Sequence, residues 1–405
     1  MLSVSLIQKV SPFQCWWGRK RPSERVSFAT FDVGTGIRAP LKTDEGQEVV
    51  TVAPGGDELK RCIASKAKRC HLLPGIHHES AVVDASRDTP LEITGSVGAE
   101  TRSVMSGALP VPGPWTRHKG SIWKTQLPPN LRIPNIQQAW AGETWLPEAR
   151  WPNANLTAGG PADAPGGPLS LSSWAKTYGR DGQTDNCTAC TRLRLGEIVD
   201  PALESTAVNW TGALATLNVG FRFYTWTRKV ESHVPGSDRF TYNFHAGPGT
   251  HVGGNGAYLD KGLDNRYFLS GKLEALDAPG EHFIDEDSWT MYVWAPDSGT
   301  PSSVRVKVKD MCVDGKASIR DLDMFGCAWH VKGDGLSVTN VSMLYPTFHK
   351  TIDPRNAWEP GTPWTPGPFP AVTTLEGDGN VVSNFHMRYA CGSNARLFCT
   401  DLLSF

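Results

Sequence analysis

A spaced pattern of apolar positions recurs near the C-terminus of the chain. The template apolar-x-x-apolar-x-apolar fits residues 319–324 and fits again at 338–343 and at 382–387. This spacing places one set of side chains inside a stack of strands and the intervening set outside. We therefore predict stacked coils over residues 301–405, with the 44-residue step spanning two coils of about 22 residues. Ordinary antiparallel strands are the alternative interpretation of the same pattern.

Residues 49–114 read as the first coils of the same stack. A short helix with an acidic first turn is predicted over 55–62, and an apolar strand, a Pro-Gly turn and a second strand follow over 70–79. We expect the helix to cap the core, because the end of a solenoid exposes unpaired strand edges. Residues 1–48 show no orderly pattern and are predicted to be poorly ordered.

The pattern expected of stacked coils is absent from residues 115–300. They contain a Gly/Pro-rich stretch over 159–167 and an alternating apolar and polar segment over 282–294, which is typical of a hairpin. We predict a β-rich insertion here, so the fold class expected for the whole chain is all-β.

Composition narrows the class of protein. With 41 Gly and 30 Pro, turns are abundant and a helical protein is disfavoured. The net charge is −1 and the only basic cluster is Arg19-Lys20-Arg21, so nucleic-acid and membrane-surface binding are unsupported. No apolar run approaches the roughly 18 residues of a transmembrane helix, so no membrane insertion is expected.

Cysteines and sequons indicate an oxidising, glycosylating route, and hence a secreted protein. The close cysteine pairs predict disulfides Cys62–Cys70, Cys312–Cys327 and Cys391–Cys399. Sequons occur at Asn155, Asn186, Asn209 and Asn340. The Cys187-x-x-Cys190 motif could be a redox or zinc pair, but no second pair follows it, so a surface disulfide or free thiols are favoured and neither metal nor cofactor is expected. The start lacks a signal-peptide apolar region, which we interpret as a mispredicted or truncated beginning with the signal missing upstream.

Several longer segments resemble a bacterial glycoside hydrolase family described as α-L-fucosidases and xylanases. They are Leu72–Glu79, Trp145–Asn153 with its Ala-Arg-Trp-Pro-Asn, Asn265–Leu269, Leu273–Asp285 and Met291–Trp294, in matching order and spacing. The resemblance covers roughly residues 50–405. It implies a right-handed parallel β-helix with an N-terminal capping helix and a β-rich insertion, a glycan or polysaccharide as partner, and a monomer. It also implies further coils beyond Phe405. The family's catalytic acids would lie around or beyond that point, so none is carried over to this chain.

Candidate chemistry comes from the outward columns of the predicted coils. Asp323, Ser342 and His386 share one column, and Phe325, Leu344 and Arg388 share the next. With three coils between Asp323 and His386, we expect roughly 14 Å between them. A glycosidase needs two carboxyls, for which Asp321 and Asp323 are candidates together with Asp353 and Asp401.

A polysaccharide lyase, the second interpretation, needs a base and a cation to neutralise the uronate. His386 and Arg388, with His349, Lys350 and Arg355, supply those residue types. His349 and Lys350 are also candidate substrate-binding residues, as are Trp145 and Trp151, although we favour packing for both tryptophans. Asp321, Asn340 and Asn384 occupy equivalent turn positions and could instead form a structural stack. A non-catalytic surface or carbohydrate-binding β-helix, including a fragment that has lost activity, is the third interpretation.

Overall fold

The structure, a computed structural model, describes residues 49–65, 67–96, 102–134, 137–153, 175–180, 194–219, 224–244, 265–346, 373–388 and 395–398. The segment 1–48, predicted to be poorly ordered, lies outside them. The chain divides into two compact units. Among the described residues, the first unit comprises those up to residue 109 and those from residue 307 onward, and the second comprises those from 110 to 306.

The described residues are almost entirely strands and turns, which confirms the all-β prediction. The elements up to residue 126 are β1 (Val49–Val52), α1 (Glu58–Ala64), β2 (Arg69–Leu72), β3 (Gly75–His77), β4 (Ala81–Val83), β5 (Leu91–Thr94), β6 (Ser103–Ser106), β7 (Ala108–Pro110), β8 (Thr116–Lys119) and β9 (Ile122–Gln126). The next strands are β10 (Ala139–Ala141), β11 (Thr144–Leu146), β12 (Arg150–Trp151), β13 (Ala175–Arg180), β14 (Arg194–Val199), β15 (Leu214–Val219), β16 (Tyr224–His233), β17 (Arg239–Phe244) and β18 (Asn265–Ser270). The last are β19 (His282–Asp285), β20 (Thr290–Trp294), β21 (Val304–Lys307), β22 (Met311–Gly315), β23 (Ala317–Phe325), β24 (Ala328–Lys332), β25 (Ser337–Leu344), β26 (Thr373–Glu376), β27 (Val381–Arg388) and β28 (Ala395–Phe398). Short 3-10 turns span Pro129–Leu131, Pro201–Ser205 and Leu273–Ala275.

Two parallel sheets make up the first unit. The first sheet runs β1-β2-β5-β23-β25-β27, and β3 and β6 continue it beside the second half of β23. The second sheet runs β4-β22-β24-β26-β28. Their inward side chains form one apolar core that includes Leu322, Val341 and the buried Trp329, with Phe385 packed against it.

The three apolar repeats of the sequence do stack in register. Leu322 pairs with Val341 and Val341 with Phe385, and the methionines at 324, 343 and 387 line up in the same way. The predicted coil count was wrong, however. β25 pairs directly with β27, so the 44-residue step is one strand spacing, because it carries a longer connection rather than a second coil. Asp323 and His386 are therefore two spacings apart, about 10 Å rather than about 14 Å.

Helix α1 contacts β1, β2 and β4 in the first unit. It buries Leu59 and Cys62, and the Glu79 carboxylate accepts hydrogen bonds from the backbone amides of Leu59 and Lys60 at 3.1 and 3.4 Å. A disulfide ties Cys62 to Cys70 on β2. Since helix N-termini present unsatisfied amides, Glu79 is explained by this capping role.

Antiparallel strands build the second unit. β18, β13, β14, β17, β16 and β15 pair in that order, and β15 pairs with β18, which closes the sheet on itself. Its core contains Trp210, Phe240, Tyr242 and Tyr267, as expected for a small barrel that is filled by side chains. β19 and β20 form the antiparallel pair that the alternating pattern indicated, with β9 and β8 beside them. Among the described residues, no helix is long and apolar enough to span a membrane.

Candidate functional site

The predicted outward column is present in the first sheet, but Asp323 and His386 are not in contact with each other. Asp323, Ser342 and His386 are in register on β23, β25 and β27. Asp323 is only 2% exposed, whereas His386 is exposed and contacts Asn384. The Ser342 strand separates the two, so Asp323 and His386 do not form an acid–base pair. Arg388 is likewise exposed, on the next column of β27.

Asp323 has an unusual electrostatic environment. Burial raises the pKa of its carboxyl to about 6, and the nearby Arg102 guanidinium opposes the shift. Arg102 Nε lies 3.3 Å from Asp323 Oδ2, while Oδ1 has no hydrogen-bond partner. A carboxyl with such a pKa could carry a proton near neutral pH.

Asp321 belongs to a stack of side chains at the turn between the two halves of β23. Asn340 Nδ2 donates a 2.7 Å hydrogen bond to Asp321 Oδ1, and Asn384 Nδ2 donates one of 2.8 Å to Asn340 Oδ1. All three residues have left-handed backbone conformations, with φ between 46° and 61°. These contacts favour the structural role over the predicted catalytic role for Asp321. They also occupy the Asn340 amide nitrogen, which disfavours glycosylation there.

The two tryptophans predicted to bind substrate are half-buried. The Trp151 ring lies 6.4 Å from that of Trp210 and 6.1 Å from that of Tyr267, against the core of the second unit. Trp145 pairs with Trp140 across β10 and β11. Both positions favour packing over a sugar subsite.

Other predicted residues fall in two groups. Disulfides Cys62–Cys70 and Cys312–Cys327 are present as predicted, and Asn209 is exposed. The remaining predicted residues lie outside the described part of the chain: His349, Lys350, Asp353, Arg355, Asp401, Cys391, Cys399, Asn155 and Asn186. No group of three or more metal-ligating side chains occurs within the described ranges.

A cluster that the sequence did not reveal lies on the outward face of the second parallel sheet. His330 on β24 pairs with Asp314 on β22 and with Thr374 on β26, and the side chain of Glu376, two residues after Thr374, also contacts His330. Its Nδ1 lies 3.3 Å from Asp314 Oδ1, and its Nε2 lies 2.9 Å from Glu376 Oε1. The three side chains are 44%, 23% and 41% exposed in the order Asp314, His330, Glu376, so solvent and substrate can reach them. We call this set the His330 cluster.

Alternation along the strands explains the outward direction of the His330 cluster. His330 lies between buried Trp329 and Val331, and Glu376 follows buried Leu375. Because successive side chains of a strand face opposite ways, the single polar residues point to solvent. Lone polar residues between apolar neighbours were the available signal in the sequence. The apolar repeats of the sequence all belong to the first sheet, so they do not predict which residues of the second sheet meet.

The chemistry of the His330 cluster follows from its donors and acceptors. A neutral imidazole has one N–H donor and one acceptor nitrogen. Each of the two ring nitrogens of His330 contacts one carboxyl group. A pair of carboxyl groups is what glycoside hydrolysis uses as acid and base.

A second cluster of ionisable groups is buried in the second unit, on segments that carried the family resemblance. Burial raises the pKa of Glu148 to about 7 and that of Glu281 to about 8, and it lowers the pKa of His282 to about 4. Arg150 interacts with both carboxyls. Glu281 and His282 are 1% and 0% exposed, although part of the Glu148 surface reaches solvent. Substrate cannot reach the two most buried members, which favours a structural role.

Comparison with known proteins gives only distant likenesses. No family model and no curated protein matches the chain. One similar solved structure is described as a glycoside hydrolase, with a TM-score of 0.48 and 11% identity over 83% of this chain and 67% of that one. Another is the complex of XylC with xylose, with a TM-score of 0.25 and 8% identity over 79% of this chain and 48% of that one. The link to glycosidases is coarse, and it carries no argument about individual residues.

Proposed function

We propose that this chain is a carbohydrate-active protein that hydrolyses glycosidic bonds in a polysaccharide at the His330 cluster. The observation that carries the proposal is an accessible histidine held between two carboxyl groups on neighbouring strands. Asp314 and Glu376 lie on strands two spacings apart, about 10 Å. Their side chains converge on one imidazole, which is compatible with the roughly 6.5–9.5 Å separation of inverting glycosidases.

In this mechanism the protonated carboxyl gives its proton to the leaving glycosidic oxygen. The ionised carboxylate takes a proton from the water that attacks the sugar carbon. His330, which contacts both carboxyls, passes the proton from the base back to the acid after each turnover.

The fold and location of the protein belong to the same proposal. We propose that the two parallel sheets are faces of a right-handed parallel β-helix, with residues 115–300 as its insertion. The two disulfides of the first unit are compatible with an extracellular protein. A secreted, monomeric glycoprotein that acts on a polysaccharide fits these features.

The second candidate is the column of Asp323 and His386, together with Arg388 on the next column. The raised pKa of Asp323 supports it, because a general acid works best with a pKa near the working pH. A lyase at this column would cleave a uronate polysaccharide by elimination and leave unsaturated sugars.

Activity of the purified protein on fucosylated, xylan and uronate polysaccharides tests both candidates. We expect hydrolysis, and we expect Asp314→Asn and Glu376→Gln each to lower kcat by at least about 100-fold. The matched controls are Asp287→Asn and Glu231→Gln, since both residues are exposed and belong to the second unit. Full activity in Asp314→Asn together with loss in Asp323→Asn would move the site to the second candidate. Unsaturated products would show that the protein cleaves its substrate by elimination and not by hydrolysis.

A further inference from the structure

Strand β22 contains a β-bulge two residues before Asp314. Met311 pairs with Ala328, but Val313 pairs with Trp329, so Cys312 has no partner in this ladder. Cys312 and Val313 are both buried, which breaks the alternation of the strand at this point. A bulge inserts one residue and turns everything after it to the opposite face.

The bulge decides which way Asp314 faces. Without the extra residue, Asp314 would pair with the inward Val331 instead of with His330. A shift of one residue flips every side chain of a strand to the other face. The register observed after the bulge also places Asp314 beside Val82, which is 68% exposed, so both point outward.

The bulged residue is one end of a disulfide. Cys312 is bonded to Cys327, which directly precedes β24, and both are 0% exposed. The bond therefore joins the strand that carries Asp314 to the one that carries His330. The bond fixes the inward direction of the inserted residue Cys312. Because Cys312 and Val313 both point inward at the bulge, the next residue, Asp314, points outward.

We propose that the Cys312–Cys327 disulfide is a positioning device that holds the bulge and keeps Asp314 against His330. The inference rests on the proposed function of the His330 cluster and adds an element that positions one of its two carboxyl groups. The cysteines act through Asp314 and do not touch substrate. Without the bond, β22 can relax towards the unbulged register, and misplacement of a reacting group by 1 Å can cost about 100-fold in rate.

The test compares two double variants of the full chain. Cys312→Ala/Cys327→Ala removes the positioning bond, and Cys62→Ala/Cys70→Ala removes the disulfide between α1 and β2. Both are assayed at a temperature at which circular dichroism shows them fully folded. We expect kcat to fall about 10- to 100-fold with KM unchanged in the first variant, and no change of either constant in the second. Wild-type kcat in the first variant, or an equal loss in both, would overturn the proposal.

A structural measurement separates this proposal from the proposed function. In a crystal structure of Cys312→Ala/Cys327→Ala we expect the contact between Asp314 Oδ1 and His330 Nδ1, 3.3 Å in the parent, to be lost. If the contact persists, the disulfide does not position Asp314, whatever the activity. If the contact is lost but Asp314→Asn retains full activity, the positioning is real and the catalytic role of the His330 cluster is wrong.

Discussion

At the scale of single residues, the least expected feature is the shared arginine in the second unit. Glu148 and Glu281 both interact with Arg150, so one cation faces two buried carboxyl groups. Asp277 adds further negative charge beside Glu281, and Glu286 does so beside Glu148. Neither Glu281 oxygen has a hydrogen bond of good geometry, although the amides of Asp277 and Ala278 are near enough to oppose the shift. Protonation of one carboxyl is therefore the simplest way to balance this cluster.

This arrangement predicts how stability depends on pH. The pKa of Glu281 is raised from 4.5 to about 8, so the folded state binds its proton more tightly than the unfolded state. Its contribution to stability is complete below about pH 4.5 and is lost as the pH rises through 8. We expect Glu281→Gln to be more stable than the parent at pH 9, by roughly 2–4 kcal/mol, and to lose this advantage at pH 5. Urea unfolding at both pH values measures the difference.

Glu274→Gln provides the control for this prediction, because it removes a carboxyl of the same unit that is exposed and not buried. Its unfolding free energy should follow the parent at both pH values. An unfolding free energy of Glu281→Gln that keeps the same offset from the parent at pH 5 and pH 9 would contradict a raised pKa.

Residue chemistry was only partly predictable from the sequence. Asp323 was recognised as an outward carboxylate, but its burial and its pairing with Arg102 depend on a contact across 221 residues of chain. Asp314, His330 and Glu376 were missed because each is an isolated polar residue in a different short strand. Their meeting depends on a one-residue bulge, which no apolar periodicity records.

At the scale of elements, the turn that contains Asp321, Asn340 and Asn384 organises the first sheet. Each residue takes a left-handed conformation that Asn and Asp adopt more easily than other non-glycine residues. The side-chain amides then link one strand to the next by hydrogen bonds. Asn340 is the middle of the stack and makes both bonds, so it should matter most to the register of β23, β25 and β27.

Two substitutions of Asn340 separate the contribution of its side-chain hydrogen bonds to stability from that of its left-handed backbone. Asn340→Gly loses both side-chain bonds but keeps an easy left-handed backbone, and we expect a loss of about 1–2 kcal/mol in unfolding free energy. Asn340→Ala adds the cost of a left-handed backbone for a residue with a Cβ, about 1–2 kcal/mol more. Thr339→Ala, which removes only an exposed contact with Ser383, is the control and should cost little. Denaturant unfolding measures all three, and equal stability of the Gly and Ala variants would refute the backbone argument.

The elements themselves were the most predictable part of the chain. The 319–324 template and its repeats predicted the stacked strands, because inward positions in a parallel stack must stay apolar. The step between coils was misjudged, since sequence distance alone does not distinguish an extra coil from a long connection. The closure of the barrel in the second unit was not foreseen either, because it depends on pairing of β15 with β18 across a long stretch of chain.

At the scale of the whole molecule, the disulfides and the N-glycosylation sequons bear on the compartment in which the protein folds. Both described disulfides are buried within the core of the first unit. Core disulfides of this kind form during folding in an oxidising compartment, where N-glycosylation also takes place. The sequons at Asn209 and Asn340 differ in how accessible the asparagine side chain is. Asn209 is exposed, whereas the Asn340 amide is held between Asp321 and Asn384.

A glycan on Asn340 would be bonded to the same Nδ2 that donates to Asp321 Oδ1, and its bulk would separate neighbouring strands of the stack. We therefore expect the protein, when directed through the secretory route of a eukaryotic cell, to carry a glycan at Asn209 and none at Asn340. Intact-mass measurement tests this with variants that remove each sequon and leave its asparagine in place. Thr211→Ala should lower the mass by one N-glycan, and Ser342→Ala should change it by the substitution alone. A glycan lost in Ser342→Ala would mean that the Asp321–Asn340–Asn384 stack does not form before glycosylation, and the proposed role of that turn in setting the strand register would fail with it.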